Sequence, residues 1–140
     1  MTLLVERVDV WAAAIDDKPG ALAAMLTTLQ DVGVNLQTIM SRRDREEPGK
    51  AVLYVAPLQG DLEVRAAALV GFNVTQALHS IEVMGRDRPG AAAELTQKLA
   101  EGGINLRGFS FSMIGTQFVA YLALDTLEDA NQAMEILEKA

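Results

Sequence analysis

The segment Asp17-Lys-Pro-Gly-Ala21 returns as Asp87-Arg-Pro-Gly-Ala91, an offset of 70 in a chain of 140 residues. The offset persists beyond the motif. Sliding 19–36 onto 89–106 superposes Pro19 on Pro89, Gly20 on Gly90, Ala21 on Ala91, Ala23 on Ala93, Leu29 on Leu99, Gly33 on Gly103, Asn35 on Asn105 and Leu36 on Leu106. Unrelated sequence would give about one identity over such a stretch, so the sequence predicts two copies of one unit of roughly 70 residues.

In the first copy, Leu22, Met25, Leu26, Leu29 and Val32 fall at helical spacing after Pro19, a good first-turn residue, and Gly33 marks the stop. Val34 to Met40 then alternates as a strand, Ser41 to Lys50 reads as a charged hairpin tip, Ala51 to Ala56 as a second strand, and Asp61 to Val70 as a short helix. Phe72 to Leu78 and Ser80 to Met84 read as strands, with His79 at their junction. The second copy repeats the order: helix 89–102, strand 104–113, a tighter turn at Gly115, strand 117–124, and a helix from Leu127 to Lys139 opened by Thr126 with Asp129 three residues on. Its final strand is missing, and at the same offset Thr2 to Val8 lies over Phe72 to Leu78.

The fold class predicted is therefore α+β: two β-α-β-β-α-β units with antiparallel sheets covered by helices on one face. The units are placed at 1–71 and 72–140. Strand 3–8 is a candidate to close the second and strand 72–78 the first, interlocking the two; the sheets join edge to edge or pack face to face. An uncovered sheet edge invites association, so a homodimer is expected.

The candidate chemistry lies where the first strand of each unit meets its helix. A helix amino terminus offers free N–H groups and a partial positive charge to a carboxylate. Gly20 and Gly90 leave that backbone approachable, the carboxylates of Asp17 and Asp87 can accept from an ammonium, and Asn35 and Asn105 both donate and accept. A free amino acid carries the matching groups. The same residues have a structural reading: the acids neutralise helix termini, Pro and Gly set the turn, and the asparagines bond local backbone.

This pattern, Asp-x-Pro-Gly-Ala, an amphipathic helix, then Gly-Val-Asn-Leu or Gly-Ile-Asn-Leu, resembles the ACT domain, and two copies cover nearly the whole chain. The resemblance implies a ferredoxin-like unit that binds small molecules, most often amino acids, at interfaces between paired domains and regulates another activity. Its ligand position maps to Asp17, Lys18, Pro19, Gly20 and Ala21, to Asp87, Arg88, Pro89, Gly90 and Ala91, and to Asn35 and Asn105. Serine-binding members carry a histidine two positions before the residue aligned with Asp; Ile15 and Gly85 stand there instead, against serine specificity. ACT domains are usually attached to an enzyme or a DNA-binding domain. Neither is evident here, so the resemblance implies either action in trans, with a regulated enzyme as a candidate partner, or regulation through the chain's own assembly.

Composition narrows the rivals. Twelve Lys plus Arg against nineteen Asp plus Glu give a net charge of −7, which opposes a sequence-independent grip on nucleic acid or anionic lipid. The segment from Arg107 to Ile114 looks like the base-stacking strand of an RNA-recognition module. It follows the first helix of its unit rather than the hairpin, however, so Phe109 and Phe111 are read as packing between units. With no cysteine and one histidine, thiolate and multi-histidine metal sites are excluded, and a serine relay would have to run through His79. Asp16 and Asp17, adjacent on a strand end, point apart and make no catalytic pair. No apolar stretch reaches the length of a membrane span, no basic leader precedes an apolar run, and a cytoplasmic location is the default. The sequence thus predicts a non-enzymatic sensor of an amino acid or similar small zwitterion, with no metal or cofactor. The rival reading is a protein association module whose turns are purely structural.

Overall fold

A computed structural model describes residues 2–74 and 78–139. Its elements are β1 (Leu4–Asp16), α1 (Ala21–Asp31), β2 (Thr38–Arg43), β3 (Lys50–Ala56), α2 (Gly60–Leu69), β4 (Leu78–Arg86), α3 (Ala91–Glu101), β5 (Leu106–Ile114), β6 (Gln117–Leu124) and α4 (Leu127–Glu138). This is an α+β chain, and it divides into two compact units. One is Asp9–Ala77; the other is Leu78–Ala140 together with Met1–Val8. The long strand β1 therefore gives Leu4–Val8 to one unit and Asp9–Asp16 to the other.

In the Asp9–Ala77 unit the strand order is β2-β3-β1. β3 lies antiparallel to both neighbours, with Asp16 across from Lys50, Trp11 across from Val55 and Thr38 across from Ala56. Alternation along β3 sends Ala51, Leu53 and Val55 into a core with Ile15, Leu29, Ala67 and Phe72, so both helices cover the same face. Phe72 makes a single bridge to Ala13. The strand expected over 72–78 is therefore not formed where the structure describes it: Asn73 and Val74 follow the bridge without strand pairing, Leu78 opens β4, and residues 75–77 lie outside the described residues.

Two sequence readings shift here. The second strand starts at Thr38 rather than Val34, because 32–36 are used to leave the helix: Gly33 takes φ +87° and the Val34 N–H returns to the Leu29 carbonyl at 3.1 Å. The strand then runs on through Arg43, so the hairpin tip is shorter than expected, closed by the Asp44 N–H on Lys50 O and the Glu46 N–H on the Asp44 carboxylate, both 2.9 Å.

In the other unit the order is β1-β4-β6-β5, with β6 antiparallel to β4 and β5. Ile81 and Val83 from β4 and Phe118, Ala120, Leu122 and Leu124 from β6 meet Leu95 and Leu99 of α3 and Ala133 and Leu137 of α4. Leu3 and Val5 pack onto this core. Phe111 stacks on Phe118 with ring centroids 4.9 Å apart, and Phe109 continues the row at 6.4 Å. α4 opens as the sequence predicts, with the Asp129 N–H donating to Thr126 Oγ1 at 3.0 Å. His79 sits inside β4 across from Leu124, not at a junction, since β4 begins at Leu78. The helix exit repeats that of α1: Gly103 has φ +77° and the Ile104 N–H reaches the Leu99 carbonyl at 2.9 Å.

Candidate site at the strand-to-helix turns

The turn after β1 and the turn after β4 are built by the same bonds. The Asp17 N–H donates to Gly49 O and the Asp87 N–H to Thr116 O, each at 2.9 Å, fastening each turn to the hairpin tip of its own unit. The Ala21 N–H then reaches Lys18 O at 3.3 Å and the Ala91 N–H reaches Arg88 O at 3.2 Å. Gly20 and Gly90 hold φ of +89° and +82°, and a Cβ built on either would meet nothing within 4 Å. Glycine is needed for the backbone conformation, and the space above it is open. The N–H groups of Gly20, Leu22 and Ala23, and of Gly90, Ala92 and Ala93, donate to no acceptor among the described residues. Each turn thus presents an exposed helix amino terminus.

Electrostatically the turns differ. In the first, Lys50 Nζ donates to Asp16 Oδ1 at 2.6 Å, Lys18 lies 3.8 Å from the same carboxylate, and Arg43 Nε pairs with Asp17 Oδ2 at 2.9 Å. The hydrogen bond and charge of Lys50 hold the Asp16 carboxyl below its ordinary value, and the same contact raises Lys50. In the second, Arg86 stands across from Gln117 where Asp16 faces Lys50. Met113, across from Phe118, occupies the position that Arg43 holds across from Ala51. Neither the Arg86 guanidinium nor the Asp87 carboxylate has an ion-pair partner among the described residues. Arg88 pairs with Glu94 on α3, and that hydrogen bond, helped by Lys98 at 3.4 Å, lowers the Glu94 carboxyl.

The turn residues Asp17, Lys18, Pro19, Gly20 and Ala21 are contiguous around one helix start, and Asp87, Arg88, Pro89, Gly90 and Ala91 around the other; all are exposed except the alanines. The asparagines are elsewhere. Asn35 lies two residues before Gln37, whose N–H is bonded to Ala56 O, whereas the turn follows the opposite end of β3, where Asp16 faces Lys50. Six residues of extended chain separate those ends, about 20 Å. Asn105 precedes Leu106, across from Leu124, while Arg86 faces Gln117 at the far end of β6, about 24 Å away. Within one unit the asparagine and the turn cannot hold the same small molecule. Arg43 and Lys50 are the residues that sequence reasoning missed, read as part of a solvated tip; the coupled change of Asp16 and Lys50 to Arg86 and Gln117 between the copies was the available signal.

Among the described residues no group of three His, Asp or Glu side chains gathers as a metal site, and no helix is long and apolar enough to cross a membrane. Residues 80–140 match the ACT domain family. The ACT match runs from within β4 to the end of the chain and so includes the second turn and Asn105. Over the whole chain, the structure is similar to a protein from Bacteroides thetaiotaomicron (TM-score 0.77, 14% identity, 98% of this chain and 89% of that one). It is also similar to the ligand-free regulatory subunit of aspartate kinase from Thermus thermophilus (TM-score 0.67, 16% identity, 100% and 97%) and to that of Thermus flavus (TM-score 0.66, 15% identity, 99% and 96%). No curated protein sequence matches significantly. At these identities the structural likenesses speak for the fold, and the ACT match for residues 80–140 is the sequence-level relationship.

Proposed function

We propose that this chain is a regulatory protein that binds a small molecule, an amino acid by its chemistry, and acts on an enzyme in trans without catalysis of its own. The Asp9–Ala77 unit is read as a second ACT-type unit, so that the chain is a tandem pair. The equivalent bonds at both turns and both helix exits support that reading, as does the aspartate kinase regulatory subunit among the structural neighbours. The observation that carries the proposal is the second turn: inside the ACT match, an exposed helix start with open N–H groups, an unpaired Asp87 carboxylate and an unpaired Arg86 lie together. The N–H groups and Arg86 suit a carboxylate, and Asp87 suits an ammonium. Serine recognition through a histidine at 85 is disfavoured sterically, since a Cβ there would lie 2.7 Å from the Phe118 ring.

The test is a thermal-shift screen of the protein against the twenty amino acids. A ligand at about 100 times its dissociation constant adds about 2.7 kcal/mol, which moves the midpoint by several degrees in a chain of this size. A selective rise that Asp87→Ala abolishes supports the proposal. Flat curves throughout, or a rise that Asp87→Ala leaves intact, overturn the site.

A further inference from the structure

We infer that the second turn selects an amino acid with an aliphatic side chain, and that Met113 is the residue that sets this preference. The inference rests on the reading of that turn given above and names the class of ligand the turn takes. Arg43 and Met113 stand at the repeat offset of 70 and at matching points of the two hairpins, Arg43 across from Ala51 and Met113 across from Phe118. In the first unit this point carries the guanidinium that meets the Asp17 carboxylate at 2.9 Å. In the second it carries an uncharged thioether that is 44% exposed. Residues directly across from one another on antiparallel strands share a face. Met113, Phe118 and Gly85 therefore form one row, and Asp87 follows two residues beyond Gly85.

What fills that row is apolar. Gly85 has no side chain, and the Phe118 ring and Leu3 Cδ2 lie 2.7 and 2.9 Å from where a Cβ on it would stand. Phe118 is fully buried, whereas Leu3 is half-buried and Met113 exposed, so two of these side chains remain open to a ligand. An amino acid whose ammonium rests on Asp87 thus has a hydrocarbon and thioether shelf beside it. Charged side chains find no such match. In this reading Arg86 takes the ligand's own carboxylate, Arg88 is committed to Glu94, and Asp87 already holds the ammonium. A small polar side chain would lose water on the shelf without gaining a hydrogen bond. Methionine is unbranched and polarizable and adapts to what it meets, which suits leucine, isoleucine, valine or methionine alike.

Isothermal titration calorimetry of the intact chain with leucine, alanine, aspartate and lysine is the test. Leucine should bind about tenfold more tightly than alanine, as expected when about two more methylene groups leave water, and aspartate and lysine no better than alanine. Met113→Gln keeps the length of the side chain and replaces the thioether with an amide. It should remove most of leucine's advantage while leaving the affinity for alanine unchanged, and Met113→Leu should keep that advantage. Met113→Arg should recreate the pairing of the first turn on Asp87 and abolish binding of every amino acid, with an unchanged circular dichroism spectrum. Alanine, aspartate or lysine bound as tightly as leucine, or a leucine preference that Met113→Gln leaves whole, overturns this inference and leaves the reading of the turn standing. Binding of none of them overturns both.

Discussion

The two strand-to-helix turns share a backbone and differ in charge, and the difference comes from the hairpins they touch. Around the first turn, Arg43 and Lys50 on β2 and β3 neutralise Asp17 and Asp16. Around the second, Met113 and Gln117 take those places and leave Asp87 and Arg86 to solvent. The motif Asp-x-Pro-Gly thus sets the geometry of the turn and not its charge. Whether its carboxylate is available to a ligand is decided some 26 residues later, where the hairpin supplies or withholds a cation.

The two units are expected to be most nearly equivalent in their cores. Leu29 and Leu99 are both fully buried, so Leu29→Ala and Leu99→Ala should each cost about 2–5 kcal/mol by denaturant titration. Costs differing by more than that range would show that the two helices are not equivalently packed. Next come the turn glycines. Gly20→Ala and Gly90→Ala should each lose about 1–2 kcal/mol from the left-handed backbone, with nearly equal falls in melting temperature, because neither added methyl meets another atom. The hairpin cation should matter less for stability than for chemistry. Arg43→Ala should cost under about 1 kcal/mol, as exposed ion pairs do, while making the Asp17 carboxylate as available as that of Asp87. If the ligand screen then still reports one site, the cation is not what separates the turns.

The smallest effect is in the pH dependence. Because Lys50 lowers Asp16 in the folded chain, the pair's stabilisation is complete above the ordinary carboxylate value of 3.8 and is lost as pH falls through the lowered folded value. Lys50 is raised, so at the other extreme the contribution fades as pH climbs past 10.5 through its folded value. A carboxyl NMR titration should place the Asp16 midpoint below 3.8, and Lys50→Met should return it towards that value; no movement would remove this distinction between the turns.

Much of the architecture was legible from local signals. Gly33 and Gly103 end their helices, Thr126 caps α4, and Gly115 makes the tight turn, because each of these is settled by a residue's own backbone preference or its nearest neighbours. The start of β2 was misplaced for the complementary reason: Val34 and Leu36 alternate like a strand, but the helix exit claims the backbone first. His79 falls between two stretches that each read as a strand, yet β4 begins at Leu78 and runs through it, paired with Leu124. At the site, the turns were readable and the grouping was not. Asn35 and Asn105 recur with the motif in sequence, but a helix carries the chain back down the sheet, so recurrence at a fixed spacing put residues together that the topology holds at opposite ends.

The sharing of β1 has a consequence for how this chain acquires its structure. Leu4–Val8 belong with the unit that begins at Leu78, and residues 9–77 intervene. Closing so long a loop is entropically slow. The Leu78–Ala140 unit therefore cannot finish its own sheet from a contiguous stretch of sequence, and its completion must wait on a segment tethered through the whole of the other unit. A fragment beginning at Leu78 should accordingly be a partially folded species, recoverable by adding a peptide of residues 1–8 in trans.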